Sequence, residues 1–201
     1  MDTNYISKNT DARIEYYETI SSTSVRAKEI AEYVSKNEYN NEIVESRNLE
    51  EVNLIIAENQ TKGKGTNGRV WFSNKNENLL MTMIIYPQES IEELNGITYK
   101  IAEMIKFAIK DLYGIDLNIK LPNDLLLNNK KICGILTESS IQGEKVKYII
   151  IGIGFNVNQI DFNDEIKEIA TSLKREFRDR EYAREEIIVK IYNNVKSLFR
   201  K

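Results

Sequence analysis

The sequence has 201 residues, 41% of them hydrophobic and 29% charged, with a formal net charge of −3. These values are typical of a globular protein with one domain, and they lack the strong positive charge that nucleic-acid binding usually needs. No apolar run approaches the roughly 18 residues of a membrane-spanning helix, so neither DNA nor a membrane is an expected partner.

The chain contains no histidine and a single cysteine, Cys133. The absence of histidine excludes serine–histidine and cysteine–histidine nucleophile pairs, together with histidine-based zinc sites. A lone cysteine excludes an intramolecular disulfide, and with the polar N-terminal stretch it favours a cytoplasmic location. If the protein is an enzyme, its chemistry must use Lys, Arg, carboxylates, hydroxyls and backbone amides.

The first half of the chain alternates between strand-like and helix-like apolar patterns. The continuous apolar run over 54–57 predicts a buried strand, and Pro87 ends a second predicted strand over 78–86. In chain order the pattern predicts a strand over 14–20, a helix over 21–36 ended by polar residues 37–42, a strand centred on 54–57, a glycine-rich loop, and a strand over 78–86.

The second half begins with the clearest helical pattern, over 90–114. Ser90 and Glu93 form a capping box at its start, and Gly114 fits a C-terminal cap. Four strands follow, joined by the turns "LNNK" and "IQGEK", over 117–120, 125–127, 132–139 and 146–153. Two successive hairpins indicate a largely antiparallel sheet, and an amphipathic helix over 179–201 completes an α+β fold.

The glycine-rich loop "ENQTKGKGTNGRVW" spans residues 58–71 and ends at the only tryptophan. Bare backbone N–H groups flanked by lysine and arginine can hold a phosphate, since both are attracted to negative charge. The spacing matches neither the nucleoside-triphosphate P-loop nor the dinucleotide fingerprint. A functional anion loop and a flexible surface loop are therefore equally compatible with this segment.

A second segment, "KLPNDLLLNNKKICGILTES", places Lys120 before a bend at Pro122 and Lys131 in the next strand. Asn123 and Asp124 are expected to be exposed at the bend, where they serve either turn formation or a phosphate-bound Mg²⁺. Cys133 alternates within an apolar strand, which is typical of a small buried side chain rather than a nucleophile.

A third segment, "YIIIGIGFNVNQ", places two glycines near the end of a strand, followed by Asn156 and Asn158. Gly152 and Gly154 would allow a ligand or another backbone to approach closely. A bulge or a turn explains the same pattern equally well.

Taken together, the three segments resemble the biotin–protein ligase family. The glycine-rich loop resembles that family's biotinyl-adenylate loop, and "KLPNDLLLNNKKICGILTES" resembles its lysine–proline–asparagine–aspartate segment. "IGIGFNVN" and "IATSLKREF" resemble the two motifs that follow, while "SSTS" at 21–24 matches an early serine–threonine motif. Their order and spacing agree over roughly residues 14–200.

The resemblance implies a single catalytic domain over 1–201, with a core over about 14–178 and a C-terminal helix over about 180–200. Its fold would be a mixed, mainly antiparallel sheet flanked by helices, shared with lipoate ligases and related to class II aminoacyl-tRNA synthetases. The implied reaction joins biotin to ATP as biotinyl-5′-AMP, with Mg²⁺, and then transfers biotin to a lysine of a carboxyl-carrier domain.

The resemblance also implies roles for individual residues. Lys120, Lys64 and Arg69 would be catalytic, because they place positive charge at the activated carboxyl and the phosphates. Asn123 and Asp124 would lie near Mg²⁺. The residues expected to bind biotin or nucleotide are Ser22, Thr23, Ser24, Gln60, Gly63, Lys64, Gly65, Thr66, Trp71, Lys120, Asn123, Lys131, Gly134 and Asn156.

Some positions depart from the family pattern. Thr66 stands where the family commonly has an arginine, and Leu121 where it has a tryptophan. No helix-turn-helix segment and no C-terminal β-barrel are recognised, so DNA binding is not expected. Two alternatives stay open: a lipoate or octanoate ligase, and a non-catalytic protein that binds biotin. A monomer and a homodimer are both compatible with the sequence.

Overall fold

The computed structural model describes residues 1–40 and 53–199. Within this part of the chain, five α-helices and seven strands form in an order close to that predicted. The helices are α1 (Thr3–Asn9), α2 (Thr23–Asn40), α3 (Ile97–Tyr113), α4 (Leu173–Phe177) and α5 (Arg184–Ser197). The strands are β1 (Ile14–Tyr17), β2 (Leu54–Ala57), β3 (Leu79–Ile85), β4 (Asn118–Lys120), β5 (Asp124–Leu127), β6 (Lys130–Gln142) and β7 (Lys145–Phe155).

The strands form one sheet in the order β1-β2-β3-β7-β6-β5-β4. Only β1 and β2 run parallel, and every other described pair is antiparallel. The two predicted hairpins, β5–β6 and β6–β7, supply the long central strands. The prediction of an α+β fold with a mixed, mainly antiparallel sheet is therefore confirmed.

Helices cover both faces of the sheet, because side chains alternate along each strand. On β2, Leu54 and Ile56 belong to the larger core, which also contains the buried faces of α3 and α5. Ile55, between them, belongs to a smaller core with Ala27 and Ile30 of α2. The helices thus hold the central strands from both sides. None of the described helices is long and apolar enough to cross a membrane.

Several predicted boundaries are wrong by three to seven residues. The capping box at Ser90 and Glu93 forms, with N···O distances of 2.8 and 3.3 Å. It closes only a turn, however, because Gly96 adopts φ +71° and α3 begins at Ile97. The strand predicted over 14–20 ends at Tyr17, and the C-terminal helix begins at 184 rather than 179. Helices α1 and α4 were not predicted. Residues 41–42 and 200–201 of the predictions lie outside the described residues.

A buried ion pair joins α5 to the end of β2. Glu58 is only 2% exposed, and the guanidinium of Arg184 donates to both of its carboxylate oxygens. The N-terminal amine lies 3.1 Å from the same carboxylate. Burial alone would raise the pKa of Glu58, but the hydrogen bonds and charge of Arg184 lower the pKa below its ordinary value. Glu58 therefore remains charged in the folded protein at neutral pH.

We expect Glu58→Gln to lower the free energy of unfolding at pH 7 by about 3 kcal/mol, because it leaves buried positive charge unpaired. Since the folded-state pKa is lowered, the carboxylate stabilises the protein above its unfolded pKa of about 4.3, and this contribution is lost as pH falls through the folded value. Urea denaturation of both proteins should show a difference that shrinks below pH 4. A difference that stays constant from pH 7 to pH 3 would contradict this assignment.

Candidate active site

A cavity of about 410 Å³ lies where the start of α2, the glycine-rich loop, the middle of β6 and the C-terminal end of β7 meet. Most of the predicted site residues line it, although they come from segments that are distant in sequence. These are Thr23, Ser24, Gln60, Lys64, Gly65, Thr66, Arg69, Trp71, Lys120, Asn123, Asp124, Lys131, Gly134 and Asn156. Two predicted residues, Ser22 and Gly63, are buried beside the cavity rather than part of its lining.

One end of the cavity is a cluster of hydroxyl and amide groups, in which the side chains of Thr23, Ser24 and Thr82 are buried and that of Gln60 is half-buried. The Gln60 side-chain oxygen accepts from the Thr23 backbone N–H at 2.7 Å and from the Thr23 hydroxyl at 3.1 Å. Thr82 on β3 donates to the Thr23 hydroxyl at 2.8 Å, and the Ser24 hydroxyl lies 3.3 Å from that of Thr82. A Cβ atom added at Gly152 would lie 2.6 Å from the Ser24 oxygen, so this glycine provides the space for Ser24.

The parallel pairing of β1 and β2 explains how this cluster assembles. The segments that follow these two strands continue side by side, and Ile20 and Gln60 form a parallel bridge between them. The Thr61 and Lys62 backbone N–H groups donate to the carbonyls of Ile20 and Ser21 at 2.9 and 2.8 Å. These bonds bring the "SSTS" segment and the first residues of the glycine-rich loop together.

The glycine-rich loop folds as a short hairpin over the cavity. Lys64 bridges to Val70, and the Trp71 backbone N–H donates to the Gly63 carbonyl at 3.0 Å. A Cβ atom at Gly63 would lie 2.6 Å from the Trp71 carbonyl oxygen, which explains the requirement for glycine. The loop is therefore an ordered part of the site.

Thr66 interacts directly with Arg69 inside this loop. The guanidinium of Arg69 donates to the Thr66 carbonyl at 3.3 Å and to its hydroxyl at 3.2 Å. Both residues line the cavity, and the exposed Lys64 lies on the same hairpin. The residue that departs from the family pattern thus orients one of the loop's cations.

The Trp71 ring lies flat against two glycines of the central strands. Gly134 on β6 and Gly154 on β7 are directly paired. Cβ atoms added there would lie 2.8 and 2.4 Å from ring carbons of Trp71. The ammonium of Lys131 lies 5.5 Å from the ring centroid, within the range of a cation–π contact. Trp71 therefore forms a wall of the cavity beside a positive charge.

The bend at Pro122 differs from its prediction. Asn123 is only 8% exposed, because its side chain donates to the Ile135 carbonyl at 2.9 Å, so the expectation of an exposed residue is wrong. The Asp124 carboxylate is partly buried and lies 2.7 Å from the Lys131 ammonium. Lys120, immediately before the bend, is exposed and lines the cavity. The bend thus presents one solvated cation and one ion pair.

Asn156 connects the end of β7 to the segment that closes the cavity. Its side-chain nitrogen donates to the Thr171 carbonyl at 3.0 Å. Its side-chain oxygen is buried and has no hydrogen-bond partner among the described residues, which leaves an acceptor for a ligand. Asn156 lines the cavity, and its role in binding phosphate or nucleotide stays a prediction.

The residues around Asp124 fit poorly with a metal ion held by the protein alone. The carboxylate is already paired with Lys131, and the Asn123 amide is used within the fold. The described residues include no group of three or more Asp, Glu, His or Cys side chains placed to hold a metal. Mg²⁺ usually keeps several waters and binds through substrate phosphates, so these residues could at most supply single oxygen ligands.

Some cavity residues were not singled out from the sequence. Lys131 pairs with the segment before α4 through a bridge to Ala170. This contact brings an acidic and an apolar side chain to the cavity mouth, and a long-range contact of this kind leaves no local sequence pattern. The cavity residues missed in this way are Ile166, Glu168, Ile169 and Ala170.

Cys133 is fully buried on β6 and does not line the cavity. Burial raises the pKa of its thiol, so the nucleophilic thiolate is disfavoured. The prediction of a buried, non-nucleophilic cysteine is consistent with both observations. We conclude that the cavity's chemistry does not use this thiol.

We expect Cys133 in the native protein to react with an excess of a disulfide reagent about 1,000-fold more slowly, or slower still, than in urea, because exposure requires opening of a core strand. The thiol released per chain is measured by absorbance over time, with the urea-unfolded protein as the control for full reactivity. Reaction of the folded protein at the rate of an exposed thiol would contradict the assignment.

Comparisons with known proteins agree with the geometry. A sequence profile described as the Biotin/lipoate A/B protein ligase family matches residues 30–156. The bifunctional ligase/repressor BirA of Bacillus subtilis (strain 168) is 39% identical over 162 residues, which cover 80% of this chain and 46% of that protein. The biotin–[acetyl-CoA-carboxylase] ligase of Paracoccus denitrificans is 34% identical over 109 residues, covering 51% and 43% of the two chains.

Among solved structures, the biotin protein ligase from Aquifex aeolicus in complex with biotin and ATP superposes with a TM-score of 0.71 at 27% identity. The match covers 93% of this chain and 70% of that chain. The chain thus spans less than half the length of these two curated relatives.

Proposed function

This chain belongs to the biotin/lipoate A/B protein ligase family, and we propose that it is an ATP-dependent biotin–protein ligase. The observation that carries the proposal is the composition of one cavity, which is lined by hydroxyl and amide groups and by several cations. A ligand with a polar ring, an apolar chain and a terminal carboxylate that meets a phosphate fits this arrangement. Biotin with ATP has these features.

The polar end favours biotin over lipoate. Thr23 and Ser24 are buried and Gln60 is half-buried, and a dithiolane ring would leave the Gln60 NH₂ group and the free oxygen lone pairs of Thr23 and Ser24 without partners, which carries a free-energy cost. A ureido ring supplies both donors and a carbonyl acceptor. Gly152 leaves the room that Ser24 needs above the strand.

The first step forms biotinyl-5′-AMP. An oxygen of the biotin carboxylate attacks the α-phosphorus of ATP, a P–O bond forms, and the bond to the β-phosphate breaks to release pyrophosphate. The carboxylate is ionised at neutral pH, so the histidine-free cavity needs no general base for this step. Lys120, Lys64 and Arg69 stabilise the negative charge that shifts across the phosphates. Mg²⁺ would be bound to the phosphates of ATP, where it would neutralise part of their charge.

The second step transfers biotin to a protein. The ε-amine of an acceptor lysine attacks the carbonyl of the mixed anhydride, an amide bond forms, and AMP leaves while the amine loses a proton to water. We propose a carboxyl-carrier domain of a cytoplasmic carboxylase as the acceptor. The name of the Paracoccus denitrificans relative supports this choice.

Pyrophosphate release and the mass of an added carrier domain test the proposal together. The purified protein is mixed with Mg-ATP, carrier domain, and either biotin or lipoate. Biotin-dependent pyrophosphate with a carrier heavier by one biotinyl group is the expected result. Activity with lipoate alone would assign the chain to the lipoate branch, and biotin binding without pyrophosphate would make it a non-catalytic binder.

A further inference from the structure

The hydroxyl cluster at the polar end of the cavity extends to a residue behind the cavity wall. Thr82 is fully buried on β3 and does not line the cavity. Its hydroxyl contacts two hydroxyls of the lining, at 2.8 Å from Thr23 and 3.3 Å from Ser24. Nothing in its apolar strand "LLMTMII" requires a hydroxyl for folding, because a β-branched valine would suit the same position.

The direction of each hydrogen bond in this cluster follows from one fixed donor. The Thr23 backbone N–H can only donate, so the Gln60 atom 2.7 Å away must be the side-chain oxygen. The Thr23 hydroxyl donates to the same oxygen. Its own oxygen therefore accepts the Thr82 proton, and the Thr82 oxygen is left to accept the proton of Ser24.

All three hydroxyl protons are thus used inside the protein. The cavity is left with the Gln60 NH₂ group as a donor and with oxygen lone pairs of Thr23 and Ser24 as acceptors. We propose that Thr82 is a positioning residue that fixes this arrangement of hydrogen-bond donors and acceptors. It thereby makes the site specific for a ring with one carbonyl acceptor and two N–H donors. A cyclic urea has this pattern. The inference rests on the proposed function, because it concerns the same substrate.

Two substitutions distinguish the effect of the Thr82 hydroxyl from the effect of Thr82 packing. Thr82→Val keeps the shape and removes the hydroxyl, which frees the Ser24 proton to turn towards the cavity. Thr82→Ser keeps the hydroxyl and removes only a methyl group. The probes are biotin, the two biotin analogues in which one ureido N–H is replaced by ring oxygen, and ATP. Dissociation constants are measured by calorimetry, with thermal midpoints recorded alongside.

We expect the unsubstituted protein to prefer biotin over both ring-oxygen analogues, because an added oxygen would face an oxygen lone pair. Thr82→Val should weaken biotin binding about tenfold and narrow this preference, since the freed Ser24 proton can meet the ring oxygen. ATP affinity should stay within twofold. Thr82→Ser should keep the preference of the unsubstituted protein even if its thermal midpoint falls.

Three results would overturn the inference. Thr82→Val could retain both biotin affinity and the preference over the analogues, or Thr82→Ser could lose the preference as the valine variant does, which would assign the effect to packing. A general loss of ATP affinity in Thr82→Val would also indicate a structural role. Failure of the unsubstituted protein to bind biotin is a different result, and it would overturn the proposed function itself.

Discussion

Lys120→Ala should reduce the rate of biotin-dependent pyrophosphate release by about 100- to 1,000-fold. Lys120 is exposed at the cavity, so its removal creates no buried defect. Its charge acts mainly on the phosphate charge that develops during the reaction, and the biotin-binding end of the cavity is formed by other residues. The turnover number should therefore fall far more than the affinity for biotin.

Lys145→Ala is a matched control for this experiment. Lys145 begins β7, at the opposite end of that strand from Gly154. The Lys145→Ala substitution therefore removes the same charge at a position away from the cavity. Steady-state pyrophosphate release and biotin calorimetry are measured for all three proteins. Near-native turnover of Lys120→Ala, or an equal loss in Lys145→Ala, would contradict the role of Lys120.

Gly154→Ala should displace the Trp71 ring from the sheet. The added Cβ atom would lie 2.4 Å from a ring carbon, well inside van der Waals contact. Strand β7 is paired with β3 on one side and β6 on the other, so the loop that carries the ring must move instead. Because Trp71 is the only tryptophan, its emission should shift to longer wavelength as the ring becomes solvated.

The same substitution should weaken ATP binding about tenfold or more, because the displaced ring formed a wall of the cavity. Trp71→Ala alone and combined with Gly154→Ala completes a double-mutant cycle. Once the ring is absent, the alanine at position 154 should have little further effect on ATP affinity. Additive losses in the double variant, or an unchanged emission spectrum in Gly154→Ala, would contradict the proposed contact.

Local sequence patterns were sufficient to predict most strands of the sheet. The turn at Asn128 and Asn129 separates two apolar strands, and both asparagines adopt the positive φ angles that such turns favour. The start of α3 was misplaced for an equally local reason. The capping box at Ser90 forms, but residues 91–96 adopt only turns. Because Gly96 has a positive φ angle, α3 starts at Ile97 instead of the predicted residue 90.

The site was predicted less completely, because its contacts join segments far apart in sequence. Gly154 was identified as a place of close approach, yet nothing in its strand indicated that Trp71 was the partner. Asn123 was expected to be exposed because asparagine favours turns, and its hydrogen bond to Ile135 depends on the neighbouring strand. Thr82 was indistinguishable from any other β-branched residue in an apolar strand.

The hydroxyl cluster also links ligand recognition to the stability of the folded chain. Thr23, Gln60 and Thr82 come from the start of a helix, a loop and a central strand, with separations of 37 and 59 residues between bonded partners. Contacts between residues so far apart in sequence close long loops, which costs conformational entropy. A ligand that binds only the assembled cluster raises the population of the folded chain by mass action. The supply of ligand in the cell and the amount of folded protein would then rise and fall together.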